Sequence, residues 1–553
     1  MIIFMLLKKN SHIIPLFLLM ILTTIASFAL FHNELFSAHD IWHQVARLYH
    51  YNEVILAGEF PPRWVASLAN GYGYPLFIFS YHLPWLLALP MTLGGVSIFT
   101  SMRMLFIFGF MASAVSMYVL LFRITKKSWP SLVGSSIYIW APYHFLSVYV
   151  AAAIGTVFMF TLLPLLFIGI HLVLERSYKW GAIVVALAIS GSILTHLMTL
   201  AMVLPFAVVF FISQIIKEKS GNRKSAVAIA GIFLGLLISA FYLIPLVKYL
   251  PSIVASSESG GLSDNFQRYF PSLKQLIYSG WGYGPIISNA KDGDISMQIG
   301  IAQWLAFGLS LIVIMASRIK KFKKILNQKH FRALLGYGLL FSLSIFFMLD
   351  SSIPFWSFAT KFIALDFPFR LLIVSVFSGS VMAALAISNF KNKKLVIAAG
   401  MLFLLVALYT NRNHRRVNMY TQYALEEYVG AETTTNTYHE YLPLSASMEL
   451  LKDNSTDVVI KNNHLINKVE MSDDGTISLH QFAFPGVLTR VDDQDVESRI
   501  DEKGRIQIDL SKGVHKVEVG FQKNNLIKFS ELLSLSTLAI ITLLILQPKK
   551  RNK

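Results

Sequence analysis

The chain contains no cysteine among its 553 residues. Disulfides, thiol nucleophiles and cysteine-based zinc sites are therefore excluded. Charge is also scarce. Only 14% of residues are charged, against about a quarter in soluble proteins, so charge cannot cover the surface of this chain. No glycine-rich phosphate loop of the P-loop type occurs, so nothing suggests a nucleotide-driven pump. No internal repeat or low-complexity tract is visible. What abounds is hydrophobic sequence, 55% of the chain, much of it in runs of about twenty residues, enough for a helix to cross a bilayer. These features predict a polytopic α-helical membrane protein.

The formal net charge is +17. In a soluble protein that excess would raise nucleic-acid binding. Here much of it sits in short clusters between apolar runs: Lys8-Lys9, Lys126-Lys127, Lys217 to Lys224, Arg318 to Lys329, Lys391 to Lys394 and Lys549 to Lys553. That is the positive-inside pattern, so it reads as topology and not as a nucleic-acid surface. The apolar stretch after Lys8-Lys9 has no small-residue cleavage site and reads as a retained first helix. Membrane segments are predicted at about 12–31, 99–121, 130–147, 153–175, 180–197, 200–216, 226–248, 298–317, 331–349, 370–389, 395–410 and 532–547. With both termini cytoplasmic the number of crossings is even. The proline-interrupted run 76–97 then reads as re-entrant or interfacial.

Three polar regions would face out. The domain expectation is a multi-helix membrane domain over 1–410 with external loops 32–75 and 249–297. An extracytoplasmic β-rich domain follows over 411–531. A final transmembrane helix with a basic cytoplasmic tail closes the chain over 532–553. Within 411–531, the stretches Thr476–Gln481, Gln494–Ile500, Arg505–Leu510 and His515–Phe521 have strand character, with turns at Asp473–Gly475, Asp501–Gly504 and Lys512-Gly513. A small β-sandwich tethered by the last helix is predicted.

The opening polar stretch reads "AHDIWHQVARLYHYNEVILAGEFPPRW", then "GYGYPLF". It resembles the first external loop of large bacterial and archaeal membrane proteins labelled 6-pyruvoyl-tetrahydropterin synthase-related. Further motifs follow in order: "LTHLMTL" at Leu194–Leu200, "SAFYLIPL" at Ser239–Leu246, "YSGWGYG" at Tyr278–Gly284, "LDFPFRLL" at Leu365–Leu372, "TTTNTYHEYLP" at Thr433–Pro443 and "FAFPGVLTRVD" at Phe482–Asp492. The resemblance implies a GT-C-like helical bundle, the architecture of membrane glycosyltransferases that use lipid-phosphate-linked sugars. Such enzymes place an acid just after the first helix on the external side, which is where Asp40 stands. The chain also departs from the family. Relatives often carry an Arg and a Glu after the "YV" that Tyr149-Val150 resembles, and here "VAAAIGTVF" at Val150–Phe158 has no ionisable group. No pterin chemistry is suggested.

Asp40 is the candidate catalytic base, taking the proton of an attacking hydroxyl; its bland reading is a helix N-cap. His39 and His43 are four residues apart, the spacing of metal pairs on one helix face, but no third ligand is visible. They read as ligands of phosphate or substrate hydroxyls, or as the lining of a polar cavity. Arg47 and Arg63 suit a lipid phosphate, because the guanidinium fork holds two oxygens at once. Trp64 and Tyr72 would stack on a sugar or sit at headgroup level as an aromatic belt. His196 is an ionisable residue within an apolar segment and a site candidate on that ground, or a neutral histidine satisfied by a neighbouring helix or by the external surface. Arg370 would meet the leaving phosphate, or pair with Asp366, or serve as a snorkelling anchor. Lys248 is a phosphate candidate or an interfacial anchor. Asp264, Asp292 and Asp294 are candidates for the missing second acid, or ordinary turn residues. Glu440 is the best polar group of its motif, on family pattern alone.

The expected function is a membrane glycosyltransferase of the plasma membrane. It would move a sugar from a polyprenyl-phosphate-linked donor to an extracytoplasmic glycan, lipid or polymer of the cell envelope. Asp40 would be the base, and Arg370 with Arg63 or Lys248 would hold the phosphate. Its partners are that donor, membrane lipids and the acceptor; no metal, cofactor or nucleic acid is expected. The alternatives are a transporter or flippase of lipid-linked glycans, and a non-catalytic envelope scaffold.

Overall fold

The computed structural model describes residues 12–216, 218–256, 265–285, 294–319, 325–326, 330–362, 365–452 and 458–547. Among these, eight helices are long and apolar enough to cross a membrane: Ile98–Thr125, Ile154–Leu174, Tyr178–Ile215, Gly221–Ile238, Phe331–Met348, Pro368–Asn389, Lys393–Thr410 and Asn525–Leu546. Ile13–Ala26 and Ile301–Ser317 are apolar but shorter. The chain is thus a multi-pass helical membrane protein with a small β region near its C-terminal end.

The pair 180–197 and 200–216 is two helices, as predicted, within Tyr178–Ile215, parted at His196, whose backbone (φ −159°, ψ 82°) leaves the helix. Other predicted segments are divided differently, each with a local cause. The segment 130–147 ends its first helix at Ile139 and restarts at Pro142. Proline disfavours a helical conformation in the residue before it, and Ala141 is extended. The segment 226–248 divides at Ser239 into Gly221–Ile238 and Ala240–Tyr249. The run 76–97 holds only Leu76–Phe79 and Leu83–Thr92. Ten helical residues span about 15 Å, half the hydrocarbon thickness of about 30 Å.

The chain forms two compact units, interleaved in sequence. The first comprises Met1–Ile41, Arg103–Gly235 and Leu262–Gln422; the second comprises Trp42–Met102, Leu236–Gly261 and Tyr423–Lys553. At the centre of the first unit is Leu372–Asn389, in which every residue is buried. It packs on Ile301–Ser317, Phe331–Met348 and Ser128–Ile139. Small residues permit this. A Cβ on Gly379 would lie 2.7 Å from Gln303, and one on Gly134 would lie 2.9 Å from the Ser380 carbonyl. Between helices in lipid, where no hydrophobic driving force separates protein from tail, such close approach supplies the packing energy.

The second unit carries the β-sandwich. One sheet has the order β3 (Ile460–Lys461), β4 (His464–Met471), β10 (Gly513–Phe521), β6 (Val487–Val491) and β7 (Gln494–Val496). The other runs β5 (Gly475–Phe482), β9 (Arg505–Leu510) and β8 (Arg499–Ile500). Alternate residues Ile506, Ile508 and Leu510 of β9 and Val517, Val519 and Phe521 of β10 turn inward and meet in one core. Trp64, Ile78, Phe79, Tyr249, Ile253 and Ile527 join that core. The β6–β7 hairpin turns on Asp492-Asp493, both at positive φ, the two-residue geometry that matches strand twist. The strands β4 and β6 were missing from the sequence expectation.

Candidate functional site

In the first unit, the strap that leads to Asp40 is fixed along its length. Leu35 and Phe36 (β1) pair with Thr421 and Tyr420 (β2), and the Ser37 amide donates to the Met419 carbonyl at 2.9 Å. The His39 amide donates to Val150 O at 2.9 Å and the Asp40 amide to Ala151 O at 3.0 Å. Those acceptors end a π-helical turn, Leu146–Val150. Two tyrosines tie the arrangement to the end of the first helix. The Tyr149 hydroxyl donates to Ala26 O at 2.6 Å, and that of Tyr420 to Ala29 O at 2.9 Å. Tyr149 is fully buried. The Asp40 carboxylate is half-buried, and among the described residues no side chain pairs with it. The backbone of Val150 and Ala151 therefore lies directly against that of His39 and Asp40. The next helix begins at Ile41, so His39 precedes it and does not share a helix face with His43. Its Nε2 is buried without a partner among the described residues.

The same unit brings His196 and Arg370 together. Arg370 Nη1 lies 3.1 Å from His196 Nε2, and Nη2 lies 2.8 Å from Asp366 Oδ2. A guanidinium can only donate. Nε2 must then accept; Nδ1, on the other side of the ring, lies 3.1 Å from the Thr199 hydroxyl and 3.3 Å from the Thr199 amide. His196 is thus a neutral ring that holds Arg370 from one side while Asp366 holds it from the other. Of the loop carboxylates, Asp264 and Asp292 lie outside the described residues, and Asp294 is half-buried.

In the second unit, Ile41–Leu56 presents His43 and Arg47, one turn apart, to the segment 432–440. His43 Nδ1 lies 2.5 Å from Glu432 Oε2, and its Nε2 3.3 Å from the Thr437 hydroxyl. Arg47 donates to the Thr435 carbonyl at 2.6 Å and to its hydroxyl at 3.2 Å. Asn436 donates to Glu440 Oε1 at 2.6 Å. Glu440 Oε2 and Asn436 Oδ1 are buried acceptors with no partner among the described residues. His439 bonds the Thr434 hydroxyl at 2.6 Å, and burial holds its pKa below the ordinary histidine value against the pull of Glu440 and Glu432. Glu432 and Asn436 were not singled out from sequence, whereas Thr435 belongs to the Thr433–Thr435 run that was. The threonine-asparagine run beside Glu440 was the available signal.

Four expected ligands sit elsewhere in this unit. Arg63 is wholly buried, donating to Phe241 O at 2.8 Å and to Glu531 Oε1 at 3.1 Å. Burial lowers its pKa and Glu531 opposes that shift. Trp64 is wholly buried in the sandwich core. Tyr72 is stacked on His480 at 3.6 Å and on Phe482 at 4.9 Å. Neither ring has a face left for a sugar. The sequence shows aromatic and cationic types but not which strand will cover them. Lys248 is exposed at the end of Ala240–Tyr249.

A family model described as the 6-pyruvoyl-tetrahydropterin synthase related domain, a membrane protein, matches residues 78–317. A protein of Lactococcus lactis subsp. cremoris (strain MG1363), named only as uncharacterized, is 23% identical over 259 residues, 45% of this chain and 42% of that protein. The cryo-EM structure of the mycobacterial arabinofuranosyltransferase AftD aligns with 72% of this chain and 27% of its own, at a TM-score of 0.44 and 11% identity. The chain thus spans less than half the length of both. The resemblance read from the motifs has an independent counterpart over 78–317: this part of the chain matches the 6-pyruvoyl-tetrahydropterin synthase-related membrane domain.

Proposed function

We propose that the protein is a GT-C-like membrane glycosyltransferase that uses a polyprenyl-phosphate-linked sugar donor. The observation that carries this reading is the Asp40 carboxylate, half-buried and unpartnered on a backbone held from two sides. A carboxylate so held is suited to take the proton of an acceptor hydroxyl while its oxygen bonds to the anomeric carbon. The bond from that carbon to the phosphate oxygen breaks, and the lipid phosphate leaves with the electron pair. Arg370, in the same unit, is the cation assigned to that phosphate. Taken by itself, the second unit offers buried acceptors on Glu440 and Asn436, which suit hydroxyl donors. Arg63, Trp64 and Tyr72 drop out of the ligand set, since burial commits them to the fold. In this reading 1–410 forms the membrane body, both termini are cytoplasmic, and 411–531 faces out with the acceptor.

One observation favours the flippase reading. The backbone against Asp40 carries no second acid. Turnover separates the two. Purified protein in lipid is given radiolabelled polyprenyl-phosphate sugars, wild type beside Asp40→Asn. Transfer of label to an acceptor or to water should fall by about 10²–10⁴-fold in the variant, with the unfolding temperature unchanged. Saturable donor binding in both proteins with no turnover in either would remove the enzyme reading and favour a carrier or a scaffold.

A further inference from the structure

Away from these clusters, the first unit contains a cationic cleft that neither the resemblance nor the proposed chemistry uses. It lies where three apolar helices end or begin. Leu174 closes Ile154–Leu174, Arg176 sits in the next turn, Glu218, Lys219 and Ser220 follow Tyr178–Ile215, and Lys224 stands in the first turn of Gly221–Ile238. These six residues line a space of about 540 Å³, within the roughly 300–1,000 Å³ of small-ligand sites.

Charge in the cleft is unbalanced. The Lys224 ammonium is buried and paired with the Glu218 carboxylate. Arg176 and Lys219 are exposed, and among the described residues neither charged group has a partner. Two positive charges are left uncompensated, with the Ser220 hydroxyl beside them. A basic cluster that marks topology alone needs no shared space, but here two exposed cations border one open depression. Arginine matches phosphate oxygens in pairs, and lysine adds a point charge. The helices that meet at the cleft are membrane spans by length and composition, so their ends lie at headgroup level.

We propose that this cleft binds a phosphate-bearing anion, the headgroup of an anionic phospholipid. Basic pockets between helix ends attract such headgroups.

Full-length protein would be purified with mixed phosphatidylglycerol and phosphatidylcholine, and retained lipid read by native mass spectrometry. Inorganic phosphate is titrated in a second arm. Wild type should retain phosphatidylglycerol over phosphatidylcholine by about tenfold, and the double variant Arg176→Gln, Lys219→Gln should approach parity. Both residues are exposed, so the fold should hold, and an unchanged melting temperature checks this. A Lys391→Gln, Lys393→Gln control, in another basic cluster, should keep the preference. Displacement of lipid by inorganic phosphate would mean that phosphate alone suffices. No displacement would mean that the site needs the lipid, and both results support the cleft. Equal retention of the two lipids by wild type, an unchanged preference in the double variant, or an equal loss in the control would each overturn the proposal.

Discussion

Asp40 and Arg63 come from the same polar stretch, and the fold treats them in opposite ways. Arg63 has 0% of its surface exposed. Its guanidinium donates to the Phe241 carbonyl and to Glu531, which Lys523 also contacts at 3.0 Å. A buried charge demands such partners, since its desolvation is otherwise uncompensated. Asp40 keeps a half-buried carboxylate with no described partner, while its backbone is held by Ala151. The first charge is part of the architecture and the second is available to a ligand. Residue type does not separate them; the number of partners does. Arg370 lies between the two, with both terminal nitrogens engaged and part of its side chain still exposed.

The sharpest way to break this comparison is Glu531→Ala. It leaves the Arg63 charge buried with only a carbonyl, and stability should fall by about 3–5 kcal/mol, read as the unfolding midpoint in lipid. A loss below about 1 kcal/mol, the worth of an exposed pair, would mean that Arg63 is solvated and the contrast with Asp40 fails. A smaller effect is expected at His196→Ala, which removes the acceptor for Arg370 and the partner of Thr199, at about 1–3 kcal/mol. His196→Gln should recover much of that, because its amide oxygen can still accept from Arg370. Equal losses in both variants would show that ring packing, and not the acceptor, holds the arginine. Next comes Tyr149→Phe, which deletes one buried hydrogen bond worth about 1 kcal/mol. If the strap positions Asp40, turnover should fall more than stability does, with donor affinity retained. Equal proportional losses would reduce Tyr149 to a packing role.

Much of the helical body was legible, because runs of about twenty apolar residues have few alternatives to spanning a membrane. The break at Ser239 was less legible, because a serine inside such a run does not announce a backbone that leaves the helix; the break within 180–216 was expected between 197 and 200, beside the observed one at His196. The sandwich was read from its best-alternating strands, while β4, with polar residues at Asn467, Lys468 and Glu470, hid its pairing with β10. For the site, the Asp366–Arg370 pair could be read from i, i+4 spacing. The His196–Arg370 contact could not, since it joins residues 174 apart in sequence. Arg63, Trp64 and Tyr72 were misread for the same reason: their covers, Glu531, Phe484 and His480, come from far along the chain.

The smallest expected effect tests the comparison from the exposed end. His515 Nδ1 lies 2.8 Å from Asp492 Oδ2, and its Nε2 lies 3.0 Å from the Ser511 carbonyl. Both partners accept, so both ring nitrogens must donate, and the structure calls for an imidazolium. The Asp492 bond first, and the Ser511 carbonyl after it, raise the His515 pKa above its ordinary 6.5. The His515 bond first lowers that of Asp492 below its ordinary 3.8. A raised histidine pKa contributes stability that is full below 6.5 and is lost as pH rises through the folded value. A lowered carboxyl pKa contributes stability present above 3.8 and lost as pH falls through its folded value. The pair therefore supports the β6–β10 register best between those limits and fades on either side. Both groups are near water, where screening keeps such pairs weak. Melting temperatures of wild type and Asp492→Asn should differ slightly between pH 4 and 6.5 and converge as pH rises well above 6.5. A gap that stays constant across the alkaline range would mean that Asp492 acts through its turn, where its other oxygen accepts from the Lys516 amide at 2.9 Å, and not through the histidine.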